Sequence, residues 1–322
     1  MRDRQFGTTN LRVSSLGLGC NNFGGRLDPA AARRTVHAAL HAGITVFDTA
    51  DIYGLRGGSE SILGEALGAR RKDVVLVTKF GLPMDDEAQL KGGSARYIAT
   101  AIEASLKRLK TDWIDLYYLH RPDPTTPIEE TLRALDSLIA QGKVRYIGCS
   151  NMSASQLVEA QRISQANGLH RFIACQDQYN LLSRQIEAEI VPAIESYRLA
   201  LMPYFPLASG MLTGKYAFGA PIPAGSRMSY QRYSDRFLND ENFRLVESLR
   251  AFCANRGRSL LELAFGWLLS KPFVGCVIAG ASAPEQIHQN AAAIDWRLDA
   301  AEMAEVNRLT SKHKEPSFKT SQ

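Results

Sequence analysis

The sequence predicts an α/β fold: a (β/α)8 TIM barrel with an N-terminal β-hairpin and two extra helices. Three observations predict it. Short runs that are apolar throughout, without alternation, recur along the chain, as expected of parallel strands buried on both faces. Nearly every run is followed by a segment with apolar residues at helical spacing. The strands number eight, and eight parallel strands each followed by a helix close into a barrel. An open, doubly wound sheet is the other arrangement of the same alternation. The chain has 322 residues and is 45% hydrophobic, which suffices for one large core. No linker, low-complexity tract or fixed-period repeat divides it, so residues 1–322 are read as a single domain.

In order along the chain, residues 5–13 fit a small hairpin with Thr9-Asn10 at its centre. Residues 15–19 are the first apolar strand, and Gly24-Gly25 open a loop. A helix is expected over 29–41, with Pro29 near its first turn, where its missing N–H is harmless. The second strand is 44–48. A helix over 59–68 ends at Gly68, a C-terminal cap. Residues 74–77 form a mainly β-branched run leading into Thr78-Lys79.

Ser94 caps a helix whose Ile98, Ile102, Leu106 and Leu109 share one face. Strand 114–119 ends at His120, helix 127–141 ends at Gly142, and strand 144–149 ends at Ser150-Asn151. Ser153 and Gln156 have the spacing of a capping box and start the next helix. Strand 172–175 leads to Gln176, helix 184–197 follows, and strand 199–203 leads into Tyr204. A long loop over about 205–238 precedes helices near 239–256 and 259–270. Strand 273–278, a loop at 279–283, a helix from Pro284 and a last helix from Asp299 complete the chain.

Composition excludes several function classes. The net charge is only +5 and charged residues make up 22%. Short basic runs such as Arg70-Arg71-Lys72 read as solvated helix ends and not as a nucleic-acid face. The five cysteines are odd in number and lack a CxxC, so they read as buried thiols of a reducing compartment. The N-terminus lacks the apolar segment of a signal peptide, and no apolar run nears the ~18 residues that span a bilayer. A cytoplasmic protein with no nucleic-acid or membrane partner is expected.

Familiar ligand motifs fail as well. His37 and His41 share a helix face, but Ala38 stands where a zinc-protease helix has glutamate, so no metal is expected. Gly17-Leu18-Gly19 lacks the third glycine of a dinucleotide fingerprint, and Gly214-Lys215 is no P-loop.

The strand ends carry the chemistry. Asp48, Lys79, His120, Ser150-Asn151, Gln176 and Tyr204 end consecutive strands roughly 30 residues apart, the length of one βα unit, so they ring one mouth of the barrel. An acid at the end of a buried strand is costly unless a cation or hydrogen bonds receive it. Lys79 can receive Asp48. A lysine ammonium beside Tyr53 would stabilise phenolate and lower a reference pKa of about 10. Tyr53 then becomes a general acid for a carbonyl oxygen, with His120 as a further donor. Hydride must come from a cofactor, because no side chain can donate one.

Phe47-Asp48-Thr49-Ala50-Asp51-Ile52-Tyr53-Gly54, Thr78-Lys79, Leu119-His120, Gly148-Cys149-Ser150-Asn151 and Gln176-Asp177-Gln178-Tyr179-Asn180-Leu181-Leu182 resemble the aldo-keto reductase family. So do the segment from Pro206 to Tyr216 and Gly280-Ala281-Ser282-Ala283-Pro284-Glu285-Gln286. The resemblance covers almost the whole chain. It implies reversible NAD(P)H-dependent reduction of an aldehyde or ketone, with a catalytic tetrad of Asp48, Tyr53, Lys79 and His120. It further implies that Ser150, Asn151 and Gln176 bond the nicotinamide carboxamide and that the Tyr204 ring stacks on it. Leu207, Ser209 and Lys215 would lie along the pyrophosphate. Gly280, Ser282, Gln286, Gln289 and Asn290 would meet the adenosine end. Some members carry cationic side chains where Gly280 and Gln286 stand to grip the 2′-phosphate; both are uncharged here. NADPH is expected, with NADH left open. The twelve residues after Thr310 imply a reduced C-terminal loop.

Two other functions fit parts of the pattern. Lys79 could be a Schiff-base nucleophile of a barrel aldolase, although a lysine paired with Asp48 stays protonated. Channel β-subunits resemble the same family and hold the same cofactor with little turnover, so a regulatory binding module is the alternative. The substrate, a small carbonyl compound, would be framed by loops 21–28, 81–94, 121–127 and 205–238 and the tail. Asn21, Asn22, Phe23, Tyr53, Phe80 and Arg121 are candidates. Arg121 would either favour an anionic or polar substrate or pair with Asp123. Asp51 is read as loop structure.

Overall fold

The computed structural model describes residues 1–311 and His313. A two-stranded antiparallel hairpin, β1 (Asp3–Gln5) and β2 (Arg12–Ser14), precedes eight parallel strands. These are β3 (Leu16–Gly19), β4 (Val46–Asp48), β5 (Val75–Phe80), β6 (Ile114–Leu119), β7 (Val144–Ser150), β8 (Ala174–Gln176), β9 (Ala200–Leu201) and β10 (Val277–Gly280). Each pairs with the next, and β10 pairs in parallel with β3. The last seam closes through a Leu201–Val274 bridge and the Ile278 amide donating to the Pro203 carbonyl at 3.0 Å. The fold is the expected (β/α)8 barrel.

The strands are buried on both faces, which explains their unbroken apolar runs. Outward residues such as Phe47, Leu76, Tyr117 and Ile147 join the main core under the helices. Inward residues, among them Val46, Val77, Leu116 and Tyr118, form a second core inside the barrel. Phe6, from the hairpin turn, belongs to that inner core and is 1% exposed. A Cβ on Gly275 would sit 2.8 Å from the Phe6 ring, so only glycine lets the hairpin plug this end.

The helices follow their signals. α1 (Pro29–His41) starts on an Asp28 cap, α2 spans Tyr53–Leu67, and α3 (Ala95–Leu109) starts on the Ser94 cap. α4 is Ile128–Ala140, and α5 (Ala154–Ala166) carries the complete Ser153–Gln156 capping box. The helix expected over 184–197 is instead two pieces, α6 (Ile186–Glu189) and α7 (Val191–Ser196). Pro192 explains the break: it cannot donate to a preceding turn but sits well in a first one. The segment read as a loop over 205–238 contains 3-10 turns at Ala208–Thr213 and Arg227–Ser229 and a helix, α8 (Gln231–Phe237). α9 (Asp240–Ala254), α10 (Leu260–Leu269), α11 (Pro284–Ala292) and α12 (Ala300–Thr310) complete the set. α9 and α12 are the two extra helices, and they pack together.

Lys312 and 314–322, most of the tail expected to bear on the pocket, lie outside the described residues. All five cysteines are free and buried. Among the described residues no helix is long and apolar enough to cross a membrane.

Candidate active site

The C-terminal ends of the strands open into a cleft of about 770 Å³. Beneath it lies the pair the sequence placed there. Lys79, on β5, is 0% exposed, and its Nζ donates to both Asp48 oxygens at 2.9 and 2.8 Å and to the Thr49 carbonyl at 2.8 Å. The same ammonium also bears on the Tyr53 phenol by charge and hydrogen bond. Gln176, from β8 across the barrel, donates to Asp48 Oδ1 at 2.8 Å. Burial alone would pull the lysine pKa down, but the Asp48 charge and its hydrogen bonds more than offset this, so the ammonium is held.

Tyr53 stands over this pair, with Lys79 Nζ 5.2 Å from its ring centroid. The expected lowering of its pKa is not the net result. Burial pushes the phenol up and outweighs the Lys79 charge, which pulls it down. Tyr53 thus keeps its proton at neutral pH, as a general acid must. The backbone after it is unusual: Gly54, Leu55, Arg56 and Gly57 all have positive φ before the right-handed helix resumes. At Gly54, φ is 68° and a Cβ would meet the Phe23 carbonyl oxygen and the Ser59 amide at 2.5 Å. Glycine is needed there, and the close approach fixes the Tyr53 backbone against the β3–α1 loop.

His120, just past β6, faces Tyr53 edge-on, with ring centroids 5.7 Å apart at 85°. Burial, then the charges of Lys79 and Arg121, hold its pKa well below 6.5, so the ring is neutral. Its Nδ1 has no hydrogen-bond partner. Asp48, Tyr53 and His120 line the cleft, while Lys79 lies behind them.

A second layer joins β7, β8 and β9. Ser150 Oγ donates to the Gln176 carbonyl at 2.6 Å, and Asn151 Nδ2 donates to Ser150 Oγ at 2.9 Å and to the His120 carbonyl at 3.1 Å. Tyr204 OH donates to Asn151 Oδ1 at 2.8 Å. Asn151 has φ of 57°, and its amide donates to the buried carboxyl of Asp177 at 3.1 Å. Leu207, Ser209, Lys215, Gly280, Ser282, Gln286, Gln289 and Asn290 all line the same cleft. Gln286 Oε1 accepts from the Ser282 amide at 2.9 Å and its hydroxyl at 3.2 Å.

This surface suits a dinucleotide. The Ser209 hydroxyl is buried on the cleft wall without a partner. Lys215 and Arg227 line the cleft and have no carboxylate partner among the described residues. A hydroxyl without a partner and two cations without a carboxylate, in a groove of this volume, ask for a polar, anionic ligand.

The structure moves some expected residues out of the cleft and brings others in. Phe23, in the loop after β3, and Phe80, the last residue of β5, both read as substrate candidates, are 0% exposed members of the core under the helices. Arg121 does not pair with Asp123, whose oxygens are taken by Gly93, Thr125 and Thr126. Asp51 is buried away from the cleft and receives the Tyr97 hydroxyl at 3.3 Å. Arg26 and Arg227 were missed. Arg26 donates to the Gly225 carbonyl at 2.7 Å and Arg227 to Asn22 Oδ1 at 2.9 Å, so they strap residues 223–230 across the mouth. Their signal was weak because both sit in loops without period or motif.

A (β/α)8 barrel with a polar cleft at its C-terminal mouth and a buried lysine–aspartate pair under a tyrosine defines the class. The chain belongs to the aldo/keto reductase family, whose model matches residues 15–311. It is 41% identical over 306 residues, covering 92% of each chain, to a protein of Oryza sativa subsp. japonica named "Probable voltage-gated potassium channel subunit beta". A protein of Arabidopsis thaliana with the same name is 38% identical over 305 residues, again over 92% of each chain.

Proposed function

We propose that the protein is an NADPH-dependent carbonyl reductase in which Tyr53 is the proton donor. The observation that carries this reading is the Lys79 ammonium, held by Asp48 and Thr49 directly beneath Tyr53, on whose phenol it acts by charge and by hydrogen bond. When bound, the cofactor supplies the hydride that no side chain can give. Ser150, Asn151, Gln176 and Tyr204 hold the nicotinamide end in this reading. Leu207, Ser209, Lys215 and Arg227 take the pyrophosphate side, and Gly280, Ser282, Gln286, Gln289 and Asn290 the adenosine end. Arg227 adds a second cation beside Lys215 on the pyrophosphate side, while Gly280 and Gln286 leave the adenosine end uncharged.

The chain's own residues then divide the work. His120, neutral, orients the carbonyl oxygen by hydrogen bond. Tyr53 transfers its phenolic proton to that oxygen as charge develops, and Lys79 stabilises the phenolate left behind. Asp48 and Gln176 fix Lys79. The test is NADPH oxidation with 4-nitrobenzaldehyde. Tyr53→Phe is expected to lower turnover about 10²–10⁴-fold while cofactor binding, read by fluorescence, persists; a variant at full rate sinks the assignment.

A second reading is motivated by the names of the two plant relatives: a channel-associated subunit that holds the cofactor with little turnover. It predicts very slow NADPH oxidation with every aldehyde, tight cofactor retention and a stable hetero-complex with a channel cytoplasmic domain on pull-down.

A further inference from the structure

Arg121 follows His120 at the end of β6 and lines the cleft. Among the described residues it has neither a hydrogen bond nor an ion pair. Asp123, the nearest acid in sequence, is saturated: it accepts from the Thr125 amide and hydroxyl, the Thr126 hydroxyl and the Gly93 amide at 2.6–2.9 Å. Arg121 nevertheless acts electrostatically on the chemistry, since its charge bears on both His120 and Tyr204. A free guanidinium beside the reacting centre offers an anion a planar, two-pronged site.

That anion has two possible sources, the cofactor phosphates and the substrate. The barrel order separates them. The strands run β10-β3-β4-β5-β6-β7-β8-β9 around the ring, so β6 lies diametrically opposite β10. Ser282 and Gln286 follow β10, while Lys215 and Arg227 follow β9. The residues suited to phosphate are therefore across the mouth from Arg121, and Asp48 is the one carboxylate among the cleft-lining residues. We infer that Arg121 selects carbonyl substrates that carry a carboxylate, aldehydo and keto acids, over their neutral counterparts. This rests on the reductase reading above.

The test compares 4-carboxybenzaldehyde with its methyl ester, which share ring and aldehyde and differ in charge. Wild-type protein should favour the acid in kcat/KM. In Arg121→Ala the acid-to-ester ratio should fall by about 10–100-fold, the range for a hydrogen bond to a charged group. Taking the ratio cancels any effect on His120 common to both substrates. Arg121→Lys should recover part of the ratio, keeping charge but losing the fork. In parallel, terephthalate is titrated against NADPH-loaded protein by quenching of cofactor fluorescence, with binding expected in wild type and lost in Arg121→Ala. Retained NADPH binding shows that the variant is folded. A ratio within twofold of wild type, or equal terephthalate binding, overturns the inference while leaving the reductase reading intact. If no aldehyde is reduced at all, the reductase reading fails, and loss of terephthalate binding in Arg121→Ala still supports the anion site.

Discussion

Asp177→Asn is expected to stabilise the protein, and by an amount that depends on pH. Asp177 is 6% exposed, and burial pushes its pKa up to about 7, opposed by the Asn151 amide. The folded chain therefore keeps this proton up to about pH 7, whereas the unfolded chain releases it near 3.8. Unfolding releases a proton between these values, so the carboxyl lowers stability progressively as pH rises through that window, and the loss levels off above it. About three pK units at roughly 1.4 kcal/mol each give a cost of about 4 kcal/mol at pH 8. The same linkage gives about 2 kcal/mol at pH 5 and under ~1 kcal/mol at pH 4. Asparagine keeps an acceptor for the Asn151 amide and removes the ionisation. Urea midpoints of both proteins at pH 4, 5 and 8 measure the difference, given an unchanged slope. No gain at pH 8, or the same gain at pH 4 as at pH 8, would refute the reasoning.

Lys79→Met should cost about 3–5 kcal/mol, because it strands a buried carboxylate, and the double variant Asp48→Asn/Lys79→Met should regain much of this in urea midpoints yet show no turnover. Because the folded Lys79 pKa is raised, the stability from this pair is complete below about pH 10.5 and is lost as pH rises through the higher folded value; alkaline unfolding of wild type against the double variant reads this. His120, held neutral by burial and two cations, should show no titration between pH 6 and 8 in its ring resonances; an inflection there would show that the ring is more open to solvent than the structure has it.

Much of the barrel was legible because its signals are local. The Ser153–Gln156 capping box, the Ser94 cap, Pro29 in a first turn and the strand runs are set by residues within a few positions. Asp48, Lys79 and His120 were found because consecutive strands each end in one polar residue, and regular spacing places such residues on one ring. What failed depended on direction or distance. Phe23 and Phe80 stand where substrate residues stand, but a side chain's choice between cleft and core is not written in its position. The Tyr53 pKa balances burial against Lys79, and the sequence shows the charge without the burial. Arg26 and Arg227 meet partners about 200 positions away, in a segment whose short turns carry no period.

The Phe6 plug has a consequence for proton traffic. The inner core above it, Val13, Val46, Val75, Ala174, Ala200 and their neighbours, is almost entirely apolar, and Tyr118, the hydroxyl within it, donates to Met202 Sδ. These apolar side chains lie between Phe6, 1% exposed, and the fully buried Lys79. Tyr53 lines the cleft, so the cleft gives it a direct supply of protons, by the route that substrate and product share. Reprotonation along that route competes with substrate and product for the same space.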